Sequence, residues 1–189
     1  GSRYGTRARI LLGEQATETA IKASTDLQRA RYVVFATHGL LTGDVGVGEP
    51  GLVLTPPDQA SAQNDGLLTA SEAAQLNLRA QFVVLSACNT ANESGEVGAQ
   101  GLRGLGPAFF YAGARSLLVS HWEVSDEATA ALMQTVFANL DSQTGGDPVS
   151  GRAAAFAKAM KTLRQSDPDD PRTGLWVHPA FWGAFSFMG

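Results

Sequence analysis

The chain has 189 residues, of which 44% are hydrophobic and 17% charged, and its formal net charge is −4. This composition is typical of one globular domain with a proper core. No run of Lys and Arg indicates a nucleic-acid surface, and no apolar stretch approaches the ~20 residues that a membrane helix needs. A single cysteine cannot form an intrachain disulfide, so we expect a free thiol and a cytoplasmic protein. The opening Gly1-Ser2 is interpreted as a tag remnant.

The first third of the chain predicts two strands separated by a helix. Residues 8–12 indicate a short strand, and residues 14–29 a weakly amphipathic helix. The run YVVFATHG, residues 32–39, is apolar without alternation, which favours a parallel strand covered on both faces. That strand ends at His38.

The next segment, residues 43–66, is rich in glycine and proline and reads as a long loop. Within it, residues 52–54 predict a short strand that pairs with residues 66–68 as a hairpin. Thr69 and Glu72 then have the spacing of a capping box, which opens a helix that we expect to run to about Leu78.

The run FVVLSACNT, residues 82–90, predicts a second buried strand that ends at Cys88. A glycine-rich helix over residues 97–112 should follow, lie close against the sheet, and end at Gly113. Residues 116–122 predict a third buried strand, which ends near His121.

Two helices and a strand complete the predicted fold. Ser125 is a suitable N-cap for a helix with one apolar face, formed by Ala128, Leu132, Val136 and Leu140. A further helix over residues 149–164 and an aromatic strand over residues 181–188 follow. The order of elements predicts an α/β sandwich with a mostly parallel sheet.

His38 and Cys88 follow two predicted parallel strands, so we expect both at one sheet edge, where ligands bind in α/β folds. An imidazole beside a thiol is the pairing of a base with a cysteine nucleophile. Gly39 lets a substrate approach the backbone, and the amides of Gly39 and Cys88 are candidates for an oxyanion hole. Alternatively, Cys88 is a small buried hydrophobe. His121 is a rival base at the same edge, but no glycine follows it.

Four segments carry a recognisable pattern: THG (37–39), LSACNTA (85–91), WEVSDEAT (122–129) and HPAFWGAF (178–185). Together they resemble the CHAT-domain family, caspase-fold cysteine peptidases related to separase, metacaspases and caspases. They occur in the family's order over nearly the whole chain, and four together are specific. The resemblance implies a caspase-like three-layer α/β/α sandwich in a single domain, residues 1–189, that lacks the family's N-terminal segment.

The same resemblance implies a cysteine endopeptidase. Some relatives bind calcium, but no ligand-spaced cluster in this sequence supports a metal, and we expect no cofactor. Cys88 would be the nucleophile and His38 the general base and acid, with the amides of Gly39 and Cys88 as oxyanion donors. The implied partners are a protein or peptide substrate and a regulatory helical-repeat or sensor module, with no direct contact to nucleic acid or membrane. The alternative is an inactive caspase-fold scaffold that binds peptides.

By analogy with caspases, substrate-binding residues are expected at Ser86, His121, Trp122, Glu123 and Asp126. Where caspases place an arginine, this sequence has a carboxylate at Glu123, with Asp126 near it. A carboxylate there predicts a preference for Arg or Lys before the cleaved bond. The alternative is that Glu123 is a solvated loop charge and Asp126 a helix-start carboxylate. His178, ahead of Pro179, is expected to be structural.

Overall fold

The computed structural model describes residues 5–42, 47–87, 105–122, 125–140 and 147–189. In these ranges the strands are β1 (Tyr32–Thr37), β2 (Gly39–Leu40), β3 (Gly51–Val53), β4 (Leu67–Thr69), β5 (Phe82–Ala87), β6 (Leu117–Ser120) and β7 (Phe185–Met188). The helices are α1 (Glu18–Lys22), α2 (Thr25–Arg29), α3 (Ala70–Ala73), α4 (Leu105–Tyr111), α5 (Asp126–Leu140) and α6 (Pro148–Arg164).

The main sheet has the strand order β1-β5-β6-β7, and a smaller antiparallel sheet has the order β2-β3-β4. In the main sheet β1, β5 and β6 are parallel, and only β7 runs antiparallel to its neighbour. Helices pack on both faces of this sheet. The fold is therefore the three-layer α/β/α sandwich with a mostly parallel sheet that the sequence predicts.

Alternate residues of the central strands enter two separate cores, as strand geometry requires. One core joins Val83, Leu85 and Val119 to Phe109 of α4 and to Leu52 of the small sheet. The second core joins Phe82, Val84 and Leu118 to α5 and α6. The helix residues of this second core are Ala128, Leu132, Val136, Leu140, Ala155, Phe156, Ala159 and Leu163.

The prediction that β1 is covered on both faces is wrong. Val33 and Phe35 are buried in the first core, but Val34 keeps 47% of its surface exposed. The cause is position, because β1 is an edge strand and the second core is built on β5, β6 and β7. For β5 the prediction is confirmed, since residues 82–85 are all buried.

The predicted strand over residues 8–12 and the single helix over residues 14–29 are also wrong. Residues 8–12 form no strand, and Ile10 and Leu12 are exposed. The helix is divided because Thr17 and Ser24 each accept a hydrogen bond from the backbone N–H three residues ahead, capping α1 and α2 separately. Capping at these two residues therefore divides the segment into two short helices.

Two further boundaries differ from the prediction. Helix α3 ends at Ala73 rather than Leu78, and Leu78 N–H donates to the carbonyl of Ala112 at 2.6 Å. Strand β7 begins only at Phe185, since the preceding residues form a turn in which Gly183 N–H donates to the carbonyl of Pro179 at 2.7 Å. Part of the helix predicted over residues 97–112 lies outside the described residues. The described part, α4, ends before Gly113 as predicted, and Gly113 has a positive φ of 110°.

A buried carboxylate connects α1 to the turn ahead of β4. Glu18 is 2% exposed, and it accepts hydrogen bonds from the backbone N–H groups of Asp65 (2.7 Å) and Gly66 (2.6 Å). Lys22 lies 2.7 Å from Glu18 and 2.6 Å from Glu72 of α3. This network fixes the small sheet against α1, because the turn at Asp65 and Gly66 leads directly into β4.

The same network shifts two pKa values. Burial acts to lower the pKa of Lys22, but hydrogen bonds and charges from Glu18 and Glu72 outweigh it and raise the pKa above 10.5. Burial likewise acts to raise the pKa of Glu72, but hydrogen bonds from Lys22 and Thr69 hold it below 4.5. Both shifts favour the charged forms. No helix among the described residues has the length and apolar character needed to cross a membrane.

Candidate active site

The carboxyl ends of β1 and β5 lie side by side in the main sheet. The two strands pair in parallel, with Tyr32 opposite Phe82 and, at the last pair, Thr37 opposite Ala87. His38 is the next residue after Thr37, and Cys88 is the next residue after Ala87 in the sequence. Cys88 itself lies outside the described residues, as does Glu123.

His38 lies at the junction between the main sheet and the small sheet. Its side chain is exposed, and no hydrogen bond joins its ring to another described residue. Its backbone is fixed, since the carbonyl of His38 accepts a hydrogen bond from Val53 N–H at 2.8 Å. The hydroxyl of Thr37, one residue earlier, donates to the carbonyl of Val53. The imidazole is therefore held by its backbone at the sheet edge while its ring faces solvent.

The backbone N–H of Gly39 faces away from β3. In an antiparallel pair, hydrogen-bonded and non-hydrogen-bonded residue pairs alternate. His38 and Val53 form a hydrogen-bonded pair, so the next pair, Gly39 and Leu52, does not exchange hydrogen bonds. The N–H of Gly39 is therefore directed to the outer side of β2, and the residue is buried. An N–H in this position can act as a donor to a bound group.

His121, the rival base, is turned toward the opposite side. Its Nε2 lies 2.7 Å from the hydroxyl of Ser186 on β7, and its backbone N–H donates to the carbonyl of Ala184 at 2.7 Å. Strand β7 lies on the side of β6 away from β5. The structure therefore pairs His121 with the end of the chain rather than with His38.

Within the described residues, no group of His, Cys, Asp or Glu side chains is arranged to hold a metal ion. The family model of the CHAT domain matches residues 2–189. This chain belongs to the CHAT-domain family. The chain is also similar to tetratricopeptide repeat protein 28 of Mus musculus (29% identical) and of Homo sapiens (28% identical), each over 207 residues. These matches cover 95% of this chain but 8% of each relative, so the chain spans a small part of the curated relatives it matches.

Trp122, the residue after His121 in this CHAT domain, has an exposed ring that is held in place by a hydrogen bond. The side chain is 42% exposed, and its indole N–H donates to the carbonyl of Ala180 at 3.0 Å. A Cβ on Gly183 would lie 2.9 Å from the carbonyl oxygen of Pro179 and 3.8 Å from the Trp122 ring, so this turn requires glycine. Trp122 is thus fixed by the turn that precedes β7.

The structure describes three more residues that the sequence analysis discusses: Ser86, Asp126 and His178. Ser86 is half-buried on β5, opposite Ala36 of β1, at the same edge as His38. Asp126 is exposed in the first turn of α5. His178 accepts a hydrogen bond from Ala180 N–H at 3.2 Å and so caps the following turn, which agrees with the structural role predicted for it.

Two side chains near the site of this CHAT domain were not identified from the sequence. Thr37 connects the end of β1 to β3, and Ser186 holds the ring of His121. Threonine is common in strands, so a threonine at position 37 does not by itself predict a contact with β3. Ser186 is 65 residues from His121, so only the pairing of β6 with β7 brings the two together.

Proposed function

We propose that this CHAT domain is a cysteine endopeptidase that cleaves protein substrates with His38 and Cys88. The observation that carries the proposal is the register of β1 and β5, which ends with Thr37 opposite Ala87. His38 and Cys88 each follow one of these two residues in the sequence. Adjacent parallel strands lie about 4.8 Å apart, a spacing that lets side chains at neighbouring strand ends meet.

In the proposed reaction His38 accepts the proton of the Cys88 thiol as sulfur attacks the carbonyl carbon of the scissile peptide bond. The carbonyl oxygen becomes an oxyanion, and the N–H groups of Gly39 and Cys88 donate to it. The C–N bond then breaks, and His38 gives its proton to the leaving amine. The acyl group is left on Cys88 as a thioester, whose carbonyl is attacked by water that His38 deprotonates. The C–S bond then breaks, the acid product leaves, and His38 returns the proton to the Cys88 sulfur. The outward N–H of Gly39 supports this donor assignment.

We also propose that the residue before the cleaved bond is Arg or Lys. Glu123 would provide the charge-assisted contact, with Asp126 near it, while Ser86 and Trp122 would line the same cleft. His121 would border this cleft with its ring bonded to Ser186. The exposed indole of Trp122 and the exposed carboxylate of Asp126 support a role in binding, since both are accessible to a peptide.

Regulation is proposed to come from helical repeats or another sensor module. The matched relatives are named for tetratricopeptide repeats, and this chain spans 8% of their length. A repeat region in the same or another chain could hold the peptidase inactive until a signal arrives. A cytoplasmic location, where the thiol stays reduced, belongs to this proposal.

The test is hydrolysis of a fluorogenic peptide library in which the residue before the cleaved bond is varied. We expect release of fluorophore with Arg or Lys at that position, and none from the Cys88→Ala variant. If cleavage occurs without enrichment of Arg or Lys, the specificity proposal is wrong but the peptidase proposal stands. If the wild-type and Cys88→Ala proteins both bind peptides without cleaving them, the inactive scaffold is the correct assignment.

A further inference from the structure

Four arginines from distant parts of the sequence lie at the amino-terminal edge of the main sheet, opposite the edge of His38. Arg31 directly precedes β1, Arg79 lies shortly before β5, and Arg115 lies shortly before β6. Arg152 is in the first turns of α6. We call these four residues the arginine cluster.

The backbone places three members of the cluster side by side. Gln81 N–H donates to the carbonyl of Arg31 at 2.8 Å, and Arg115 N–H donates to the carbonyl of Ala80 at 3.0 Å, one residue after Arg79. Arg31 and Arg115 are therefore separated by the single strand β5, which corresponds to about 10 Å. The side chains of Arg31, Arg79 and Arg115 are exposed.

The charge of these exposed arginines is not paired by any carboxylate in the part of the chain that the structure describes. Arg31 instead donates to the amide oxygen of Gln81 at 3.3 Å and lies 5.3 Å from the centre of the Tyr32 ring. Three guanidinium groups thus face solvent along one edge of a protein whose net charge is −4.

Arg152 adds a buried guanidinium to this edge. It is 5% exposed, and its Nε has no hydrogen-bond partner among the described residues. A Cβ on Gly189 would contact both Ser116, next to Arg115, and Val149 of α6, so the first turn of α6 adjoins the start of β6. Burial of an incompletely paired cation destabilises the folded state. Stability therefore does not explain why Arg152 is at this position, and a functional role does.

The electrostatics around Arg152 agree with this position. Burial lowers the pKa of its guanidinium, and the charge of Arg115 acts in the same direction. Tyr32 and, less strongly, Asp147 act in the opposite direction, and the Asp147 carboxylate at the N-cap also accepts hydrogen bonds from the N–H and hydroxyl of Ser150. Among the described residues, Asp147 is therefore the carboxylate that acts on Arg152, and the arginine cluster brings four guanidinium groups to the same edge.

We propose that the arginine cluster docks an acidic segment of a partner protein. Guanidinium groups bind carboxylates through paired, charge-assisted hydrogen bonds. A distance of about 10 Å corresponds to about three residues of an extended chain, so carboxylates of one short acidic segment contact Arg31 and Arg115 together. This inference is independent of the peptidase proposal, because the cluster lies at the other edge of the sheet.

The test is the affinity of the chain for a fluorescein-labelled hexaglutamate peptide, measured by fluorescence anisotropy. We expect binding that weakens as salt increases. The double variant Arg31→Gln/Arg115→Gln should bind about tenfold more weakly, as expected for the loss of two exposed charge pairs. The control Arg7→Gln/Arg172→Gln removes the same charge from exposed positions outside the cluster and should change the affinity by less than about twofold.

A second variant tests the buried member of the cluster. Arg152→Met should weaken hexaglutamate binding while leaving the free energy of unfolding equal to or above that of the wild type. If hexaglutamate does not bind, or if both double variants bind equally well, the proposal is wrong. Tighter binding of a single-stranded oligonucleotide with the same number of charges, lost in Arg31→Gln/Arg115→Gln, would assign the cluster to nucleic acid instead.

Discussion

Thr37 and Ala87 lie opposite each other as the last pair of two adjacent parallel strands. The residues that follow them in the sequence are a histidine and the only cysteine of the chain. Because the backbone of His38 is also bonded to Val53, its position is fixed from both sheets. The proposed chemistry of this CHAT domain depends on that arrangement.

Replacement of the two histidines should affect peptide hydrolysis unequally. His38→Ala should lower kcat/KM by about a hundredfold or more, since it removes the proposed base. His121→Ala should lower it by less than about tenfold, because the His121 ring is bonded to Ser186 on β7. Steady-state kinetics on one fluorogenic peptide measure both effects. A larger loss for His121→Ala than for His38→Ala would show that His121, rather than His38, is the general base.

Glu18→Gln should destabilise the fold by about 2 kcal/mol, because hydrogen bonds to a buried charged group are lost or weakened. The affected partners are Lys22 and the N–H groups of Asp65 and Gly66. Denaturant unfolding gives the free energy. The matched control is Glu14→Gln, at an exposed position, which should cost less than about 0.5 kcal/mol. Equal costs for the two variants would show that the Glu18 network contributes little.

Acid should weaken the fold through Glu72. The folded-state pKa of Glu72 lies below its ordinary value of 4.5, so its contribution to stability is present above that pH. The contribution is lost as the pH falls through the folded-state pKa. Between about pH 5 and pH 3, the free energy of unfolding should therefore fall more steeply in the wild type than in Glu72→Gln. Parallel curves for the two proteins would contradict this.

Gly113→Ala should cost about 3 kcal/mol or more. The residue has a positive φ of 110°, and an added Cβ would lie 2.2 Å from the carbonyl oxygen of Leu78. Gly5→Ala is the control, because Gly5 has a positive φ of 53° but nothing within 4 Å of the added Cβ. That variant should cost about 1 kcal/mol from backbone strain alone. Thermal unfolding of both variants measures the two costs. Their difference gives the cost of the steric clash with Leu78, and equal costs would show that the clash is relieved.

Local patterns in the sequence predict the parts of the fold that depend on neighbouring residues. The capping box of Thr69 and Glu72 forms as predicted, with both reciprocal hydrogen bonds. The apolar face of α5 is buried at each of its four predicted positions. The second predicted strand, within residues 82–90, is also confirmed in its described part, Phe82–Ala87. In each case the determining contacts lie within a few residues or along one repeating face.

Features that depend on distant residues could not be predicted in this way. The composition of β1 suits a strand buried on both faces, and only its place at the sheet edge exposes Val34. The bond between His121 and Ser186 and the grouping of Arg31 with Arg115 both require the strand order. The roles of His38 and Cys88 remain a prediction, since Cys88 lies outside the described residues.

The rate at which iodoacetamide alkylates Cys88, measured against pH, tests the central claim most directly. The chain has one cysteine, so all label reports on that position. We expect the wild-type rate to rise with a midpoint below about 8.5, the ordinary value for a free thiol, and His38→Ala to slow labelling at neutral pH by about tenfold. Equally slow labelling of both proteins, with one shared pH profile, would contradict the pairing of His38 with Cys88.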